Sequence, residues 1–168
     1  MLLAIPAVIL QVLCVSILLL LIFSKENKLL SFFKNNFLIL GFLFSLAATL
    51  ASLFYSEVIG FIPCSLCWLQ RIFMYPLVFL FGVALFKKDR GVALYLLPLV
   101  VVGILISLYH NFIYYFGGGT APCDASGVSC VQQLVNEFGG YISIPMLSLT
   151  TFFALLTLIL VSRFYKKE

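Results

Sequence analysis

Residues 92–116 read VALYLLPLVVVGILISLYHNFIYYF, 25 positions without an aspartate, glutamate, lysine or arginine. As a helix rising about 1.5 Å per residue this run is longer than the roughly 30 Å hydrocarbon core of a bilayer. Three further uncharged runs of spanning length lie at 2–23, 35–56 and 141–162. A fifth, at 72–86, has 15 residues and reaches spanning length only if its helix begins near Ser65, which draws Arg71 into the first two turns. Unbroken apolar runs exclude the alternating strands of a membrane barrel. The whole chain agrees: of 168 residues 64% are hydrophobic and 10% charged, with a mean hydropathy of +1.20. Soluble domains carry about 25% charged residues. A soluble enzyme, a disordered chain and a nucleic-acid binder are thereby excluded, and the expected fold is an all-α integral membrane protein.

The charges orient the spans. Lys25, Lys28 and Lys34 fall between spans one and two, Lys87, Lys88 and Arg90 between three and four, and Arg163, Lys166 and Lys167 after five. Five crossings bring all three segments to one side, which the positive-inside rule makes the cytoplasm. The loops near 57–64 and 117–140 hold Glu57, Asp124 and Glu137 but no lysine or arginine, so they and the N-terminus are expected outside. Span one lacks a basic leader and an Ala-x-Ala site, and its apolar run exceeds that of a signal peptide; a retained helix is expected.

Four of the five cysteines lie in the two outer loops: Cys64 and Cys67, then Cys123 and Cys130. Cys14 sits inside span one and reads as a small packing residue. On an oxidising face, two pairs suggest redox chemistry. Pro63-Cys64-Ser65-Leu66-Cys67 is a C-x-x-C at a helix start, where the positive end of the helix favours a thiolate, the nucleophile of disulfide exchange. A four-thiolate zinc site is disfavoured by the six residues between Cys123 and Cys130, wider than usual knuckle spacing, and no metal is expected. Gly117–Gly119, Gly127 and Gly139–Gly140 around the second pair leave its backbone permissive, which suits exchange that needs sulfur-to-sulfur contact.

Arg71 carries the sharpest signal. A charge within a spanning helix costs at least about 2.5 kcal/mol and marks a functional candidate. Four residues after Cys67, it shares that residue's helix face about 6 Å along the axis. There a guanidinium favours the Cys67 thiolate and offers donors to a carbonyl oxygen at membrane depth, as in a quinone head group; the competing reading is an arginine that snorkels to water. His110, six residues before the Gly117 turn, is either a packing residue or a donor in the same pocket. Trp68, Phe112, Tyr114, Tyr115 and Tyr141 read as an interfacial belt.

Pro63-Cys64-x-x-Cys67-Trp68-x-Gln70-Arg71, Tyr109-His110, Cys123…Cys130 and Ile144-Pro145 together resemble the DsbB/BdbC family of membrane disulfide-generating enzymes, from about residue 37 to the C-terminus. The resemblance implies a four-helix transmembrane bundle, with spans about 37–57, 65–86, 92–116 and 141–162, plus one extra N-terminal transmembrane helix at 2–23. It implies a bacterial cytoplasmic membrane location, a quinone cofactor (ubiquinone or menaquinone), and a DsbA/BdbD-like extracytoplasmic thioredoxin-like thiol oxidase as partner. Residue by residue, Cys123 would accept the partner's thiolate and Cys130 would attack Cys64. Cys67 would deliver electrons to the quinone beside Arg71, with His110 in the same pocket. The short spacing of Cys123 and Cys130 and the extra helix depart from the best-known members. Vitamin K epoxide reductase-like proteins place their loop pair before the C-x-x-C, the reverse of the order here. A non-enzymatic scaffold with structural disulfides leaves the Cys67–Arg71 spacing unexplained.

The topology is testable. After reduction, membrane-impermeant thiol reagents should label both outer pairs from the extracytoplasmic side; labelling of either pair only from the cytoplasm contradicts five crossings with the N-terminus out.

Overall fold

The computed structural model describes residues 4–23, 28–116, 141 and 143–165. Its elements are α1 (Ala4–Phe23), α2 (Lys28–Asn35), α3 (Phe37–Leu53) running into a π-helical turn (Phe54–Val58), α4 (Ser65–Lys87), a 3-10 turn (Arg90–Val92) leading into α5 (Ala93–Phe116), and α6 (Ile144–Phe164). No strand occurs among the described residues. Among the described residues five helices are long and apolar enough to cross a membrane, and the protein is a multi-pass helical membrane protein.

These helices are apolar on all sides, as lipid-embedded helices are. Ile22, Phe79, Phe86 and Leu105 point outward, a cost in water but not in hydrocarbon. The inner faces of α3, α4, α5 and α6 build the core around Phe37, Leu77, Phe81, Leu96, Val100, Phe152 and Leu155. Because lipid chains are as apolar as leucine, close packing has to supply the association, and small residues permit it. Gly41 on α3 lies directly under the Phe81 ring of α4, and Gly103 on α5 under the Phe152 ring of α6; a Cβ at either would collide with that ring.

Helix ends follow local chemistry. Cys64 is the extended N-cap residue of α4 (φ −71°, ψ 170°). The α6 helix starts at Ile144, not at 141 as the uninterrupted apolar run suggests, because Ser143 is extended and its Oγ accepts the Met146 N–H while Pro145 occupies the first turn. The linker before span two also differs from expectation: part of it is α2. Leu30 is buried against Ile17, Val161 and Tyr165, with Phe33 packed beside it. Lys34 Nζ donates to the Tyr165 carbonyl at 2.7 Å and stands over the Tyr165 ring. The lysines flanking this segment make it read as a loop, but Leu30 and Phe33 share one helical face.

Successive spans run in alternate directions. Lys34, Lys87, Lys88, Arg90 and Arg163 therefore gather at one end of the bundle. The start of α1, the end of α3, the start of α4, the end of α5 and the start of α6 meet at the other.

The two glycine contacts generate a stability test. Gly41→Ala and Gly103→Ala should each lower stability by about 1–3 kcal/mol through overpacking. Gly82→Ala, whose Cβ would stand 3.4 Å from Phe42, should change it little. Thermal unfolding of the three variants in detergent, ranked against the parent, checks the order.

Candidate active site

The α4 helix begins where Pro63 and the extended Cys64 end the outer loop, so both sulfurs of the C-x-x-C fall on its first turn. Cys64 Sγ and Cys67 Sγ stand 3.2 Å apart. A disulfide needs about 2.05 Å, so a small rotation closes the pair. Cys64 is buried and Cys67 partly so. The positive end of the α4 dipole acts on both.

One turn deeper lies Arg71, with 8% of its surface exposed. It does not snorkel. Its Nε donates to Ser52 Oγ and one Nη to the Ser52 carbonyl, both at 2.9 Å. Its guanidinium carbon also lies 5.2 Å from the centre of the Trp68 ring. Trp68 is thus more than an interfacial anchor: it covers the guanidinium with its π face while remaining half exposed itself. Ser52 is the last residue but one of α3, before the π-helical turn. Such widened turns recur at functional sites, where they re-aim backbone groups.

His110 comes from the last part of α5 and is 1% exposed. Its Nε2 is 3.9 Å from Cys64 Sγ, and its Nδ1 is 3.2 Å from Gln70 Nε2. The Gln70 amide faces Nδ1 and leaves Nε2 turned toward the sulfur. The histidine therefore neighbours Cys64 directly, in the cavity that Arg71 also lines.

Cys64, Cys67, Gln70, Arg71 and His110 all line one cavity of about 400 Å³. Its remaining walls are mostly apolar: Phe44, Ala47, Ala48 and Ala51 of α3, Leu147 and Thr151 of α6, and Pro6, Ala7 and Leu10 of α1. Tyr75, one turn beyond Arg71, also lines it and carries a buried hydroxyl with no hydrogen-bond partner among the described residues. A chamber of this size, apolar with a few converging polar groups, fits a small ring bearing carbonyl oxygens and an apolar substituent.

Cys123 and Cys130 lie outside the described residues, as do the glycines around them. Cys14 is buried in α1, away from this cavity. Two members of the site, Ser52 and Gln70, went unassigned in the sequence reading. Gln70 stands three residues after Cys67 in a spanning helix, a polar signal that was available. Ser52, in the run Ala51-Ser52-Leu53, has no local signature, because its role depends on the packing of α3 against α4.

The sulfurs and an imidazole nitrogen of Cys64, Cys67 and His110 lie within 4.8 Å of one another. The donor set therefore allows two chemistries, dithiol–disulfide exchange or capture of a thiophilic metal.

Comparison with known proteins decides the class. Residues 34–162 match the family described as disulfide bond formation protein DsbB. Disulfide bond formation protein C of Bacillus subtilis is 42% identical over 134 residues, covering 79% of this chain and 96% of the relative. A probable disulfide formation protein C 1 of Bacillus anthracis is 47% identical over 109 residues, 64% of this chain and 78% of the relative. A probable disulfide formation protein of Oceanobacillus iheyensis is 42% identical over 127 residues, 74% and 86% respectively. No solved structure matches the chain significantly. The chain belongs to the DsbB family and is a membrane oxidoreductase that generates disulfides.

Proposed function

We propose that this protein reoxidises an extracytoplasmic thioredoxin-like thiol oxidase and passes the electrons to a membrane quinone. In this reading it sits in the bacterial cytoplasmic membrane with its redox cysteines on the outer side. The observation that carries the proposal is the buried Arg71 guanidinium, held by Ser52 in the same apolar cavity as the Cys64–Cys67 dithiol. A dithiol that exchanged only with soluble proteins would have no need of a buried cation at membrane depth. A carbonyl-bearing acceptor dissolved in the bilayer does.

The partner's thiolate attacks Cys123 of a Cys123–Cys130 disulfide, forming a mixed disulfide and releasing the Cys130 thiolate. Cys130 attacks Cys64 of the Cys64–Cys67 disulfide, and Cys67 leaves as a thiolate. The partner's second thiol resolves the mixed disulfide and frees Cys123. Cys123 then attacks Cys130, restores the outer disulfide and leaves Cys64 and Cys67 reduced. The dithiol next closes again, giving up two electrons and two protons, and a quinone bound against Arg71 supplies the acceptor for both. Arg71 orients that acceptor through its planar donors. His110 Nε2, beside Cys64, is placed to donate to that sulfur as negative charge comes and goes. The α4 N-terminus does the same for both thiolates. The partner class, the outer pair and the choice of quinone rest on the family resemblance.

The two half-reactions separate the roles. Cys123→Ser should abolish reaction with the partner while leaving Cys64–Cys67 oxidation by quinone intact; Cys67→Ser should abolish quinone reduction. Normal turnover in either variant contradicts the relay. Metal analysis of the reduced parent belongs beside it, since a stoichiometric metal that persists through oxidation favours the metal chemistry.

Arg71→Met should raise the quinone KM about tenfold to a hundredfold, the effect of losing a charged hydrogen bond of about 1.5–3 kcal/mol. Arg71→Lys should recover only part, since it keeps the charge without the planar donors. Ser52→Ala removes one anchor of the guanidinium and should have a smaller effect, about threefold to tenfold. Mixed-disulfide formation at Cys123 should hardly change in any of the three. Steady-state quinone kinetics beside partner-oxidation rates check the order.

A further inference from the structure

The α1 helix precedes the matched family region, which begins at residue 34, yet it is built into the cavity. Pro6, Ala7 and Leu10 form part of the wall. Ala7 is buried, with Met146 and Leu147 of α6 packed beside it. The helix is also pinned by polar contacts. Gln11 Nε2 donates to Thr150 Oγ1 of α6 at 2.7 Å, and the Tyr141 hydroxyl donates to Gln11 Oε1 at 3.0 Å. A glutamine in an apolar helix finds few partners in lipid, so these bonds specify one rotation and one depth for α1.

The placement leaves a cleft. Both α1 and α3 pack on α6, but α1 makes little direct contact with α3. Pro6, Ala7 and Leu10 on one side face the same space as Phe44, Ala47, Ala48 and Ala51 on the other, with α6 as the floor. Alanines on both sides keep that space open. The cleft is continuous with the chamber that holds Arg71, Cys67 and His110. At one end there are donors and sulfurs, and along the walls there is hydrocarbon.

We propose that this cleft holds the isoprenoid chain of the acceptor whose ring lies at Arg71, and that α1 is a specificity wall for that chain. The proposal rests on the quinone reading above and adds to it the role of the extra helix. A ring seated at the polar end can direct its substituent along the apolar cleft between α1 and α3. From Pro6 to Leu10 the helix rises about 6 Å, so α1 meets the first isoprenoid units, and a longer chain continues into the bilayer. Selection therefore acts on the presence and bulk of the proximal chain and hardly on its total length.

The test compares two acceptors on the full chain: a prenylated quinone and the same ring without a chain. Ala7→Trp should raise the KM for the prenylated quinone about tenfold to a hundredfold, the range for a misfit in an apolar pocket. Turnover of the chainless acceptor by the same variant reports folding and dithiol competence, so the test reads the ratio of the two KM values, which should rise by that factor relative to the parent. An equal effect on both acceptors, or none on either, overturns the proposal. The unsubstituted protein supplies an independent arm, with a quinone carrying a photoreactive group on its first isoprenoid unit. Crosslinks should fall within residues 6–10 and be suppressed by excess unlabelled prenylated quinone. Crosslinks confined to other helices, or labelling of 6–10 that excess quinone does not suppress, as for a cleft filled by lipid, overturn it. If the parent reduces neither acceptor, the failure lies with the quinone reading itself.

Discussion

A guanidinium buried among membrane helices has to be paired, and the pairing of Arg71 with Ser52 organises the active end of this bundle. One serine supplies two acceptors, its hydroxyl and its backbone carbonyl. The contact ties α4 to α3 at the point where α3 widens into a π-helical turn. Removing water from a charge without replacing its hydrogen bonds costs several kcal/mol, so the helices are held in one relative position by the need to satisfy this group. Trp68 closes the guanidinium from the outer side. The result is a fixed cation one turn below a dithiol.

The dithiol in turn sits between unlike neighbours. Arg71 lies deeper on the same helix, while His110 reaches Cys64 from α5 and is itself held by Gln70 of α4. Helices α4 and α5 thus meet at the two sulfurs, while α3 holds the cation beneath them. The core beneath is conventional membrane packing, with glycines under aromatic rings drawing α3 to α4 and α5 to α6. Tight packing below and a cavity above place the chemistry at the end of the bundle opposite the basic residues. The N-terminal helix completes the cavity wall and is not a detached anchor, since Gln11 binds it to α6 at the height of the site.

Much of this was legible in the sequence because the relevant signals are local. Charge-free runs set the number of crossings, and the lysines and arginines sort to one end. Pro63 and the C-x-x-C mark the start of a helix, and the four-residue step from Cys67 to Arg71 survives folding because it is a property of one helix. What was not legible depends on contacts between helices. Nothing around Ser52 distinguishes it from Ser45, which bonds back to its own helix at Gly41. The contact of His110 with Cys64 depends on how α5 packs against α4. Helix α2 escaped because its lysines resemble linker residues, while Leu30 and Phe33 acquire their partners from α1 and α6. The start of α6 was misplaced by three residues because hydropathy does not register a serine cap.

The central claim is that the Cys64–Cys67 dithiol delivers its electron pair to a lipid-soluble quinone. The most direct measurement is a single turnover without oxygen, in which fully reduced protein is mixed with quinone and both quinol and the Cys64–Cys67 disulfide are counted. The account predicts one quinol for each disulfide closed, with both appearing at the same rate. Closure of the disulfide without quinol, or a dithiol that stays reduced in the presence of excess quinone, would contradict it.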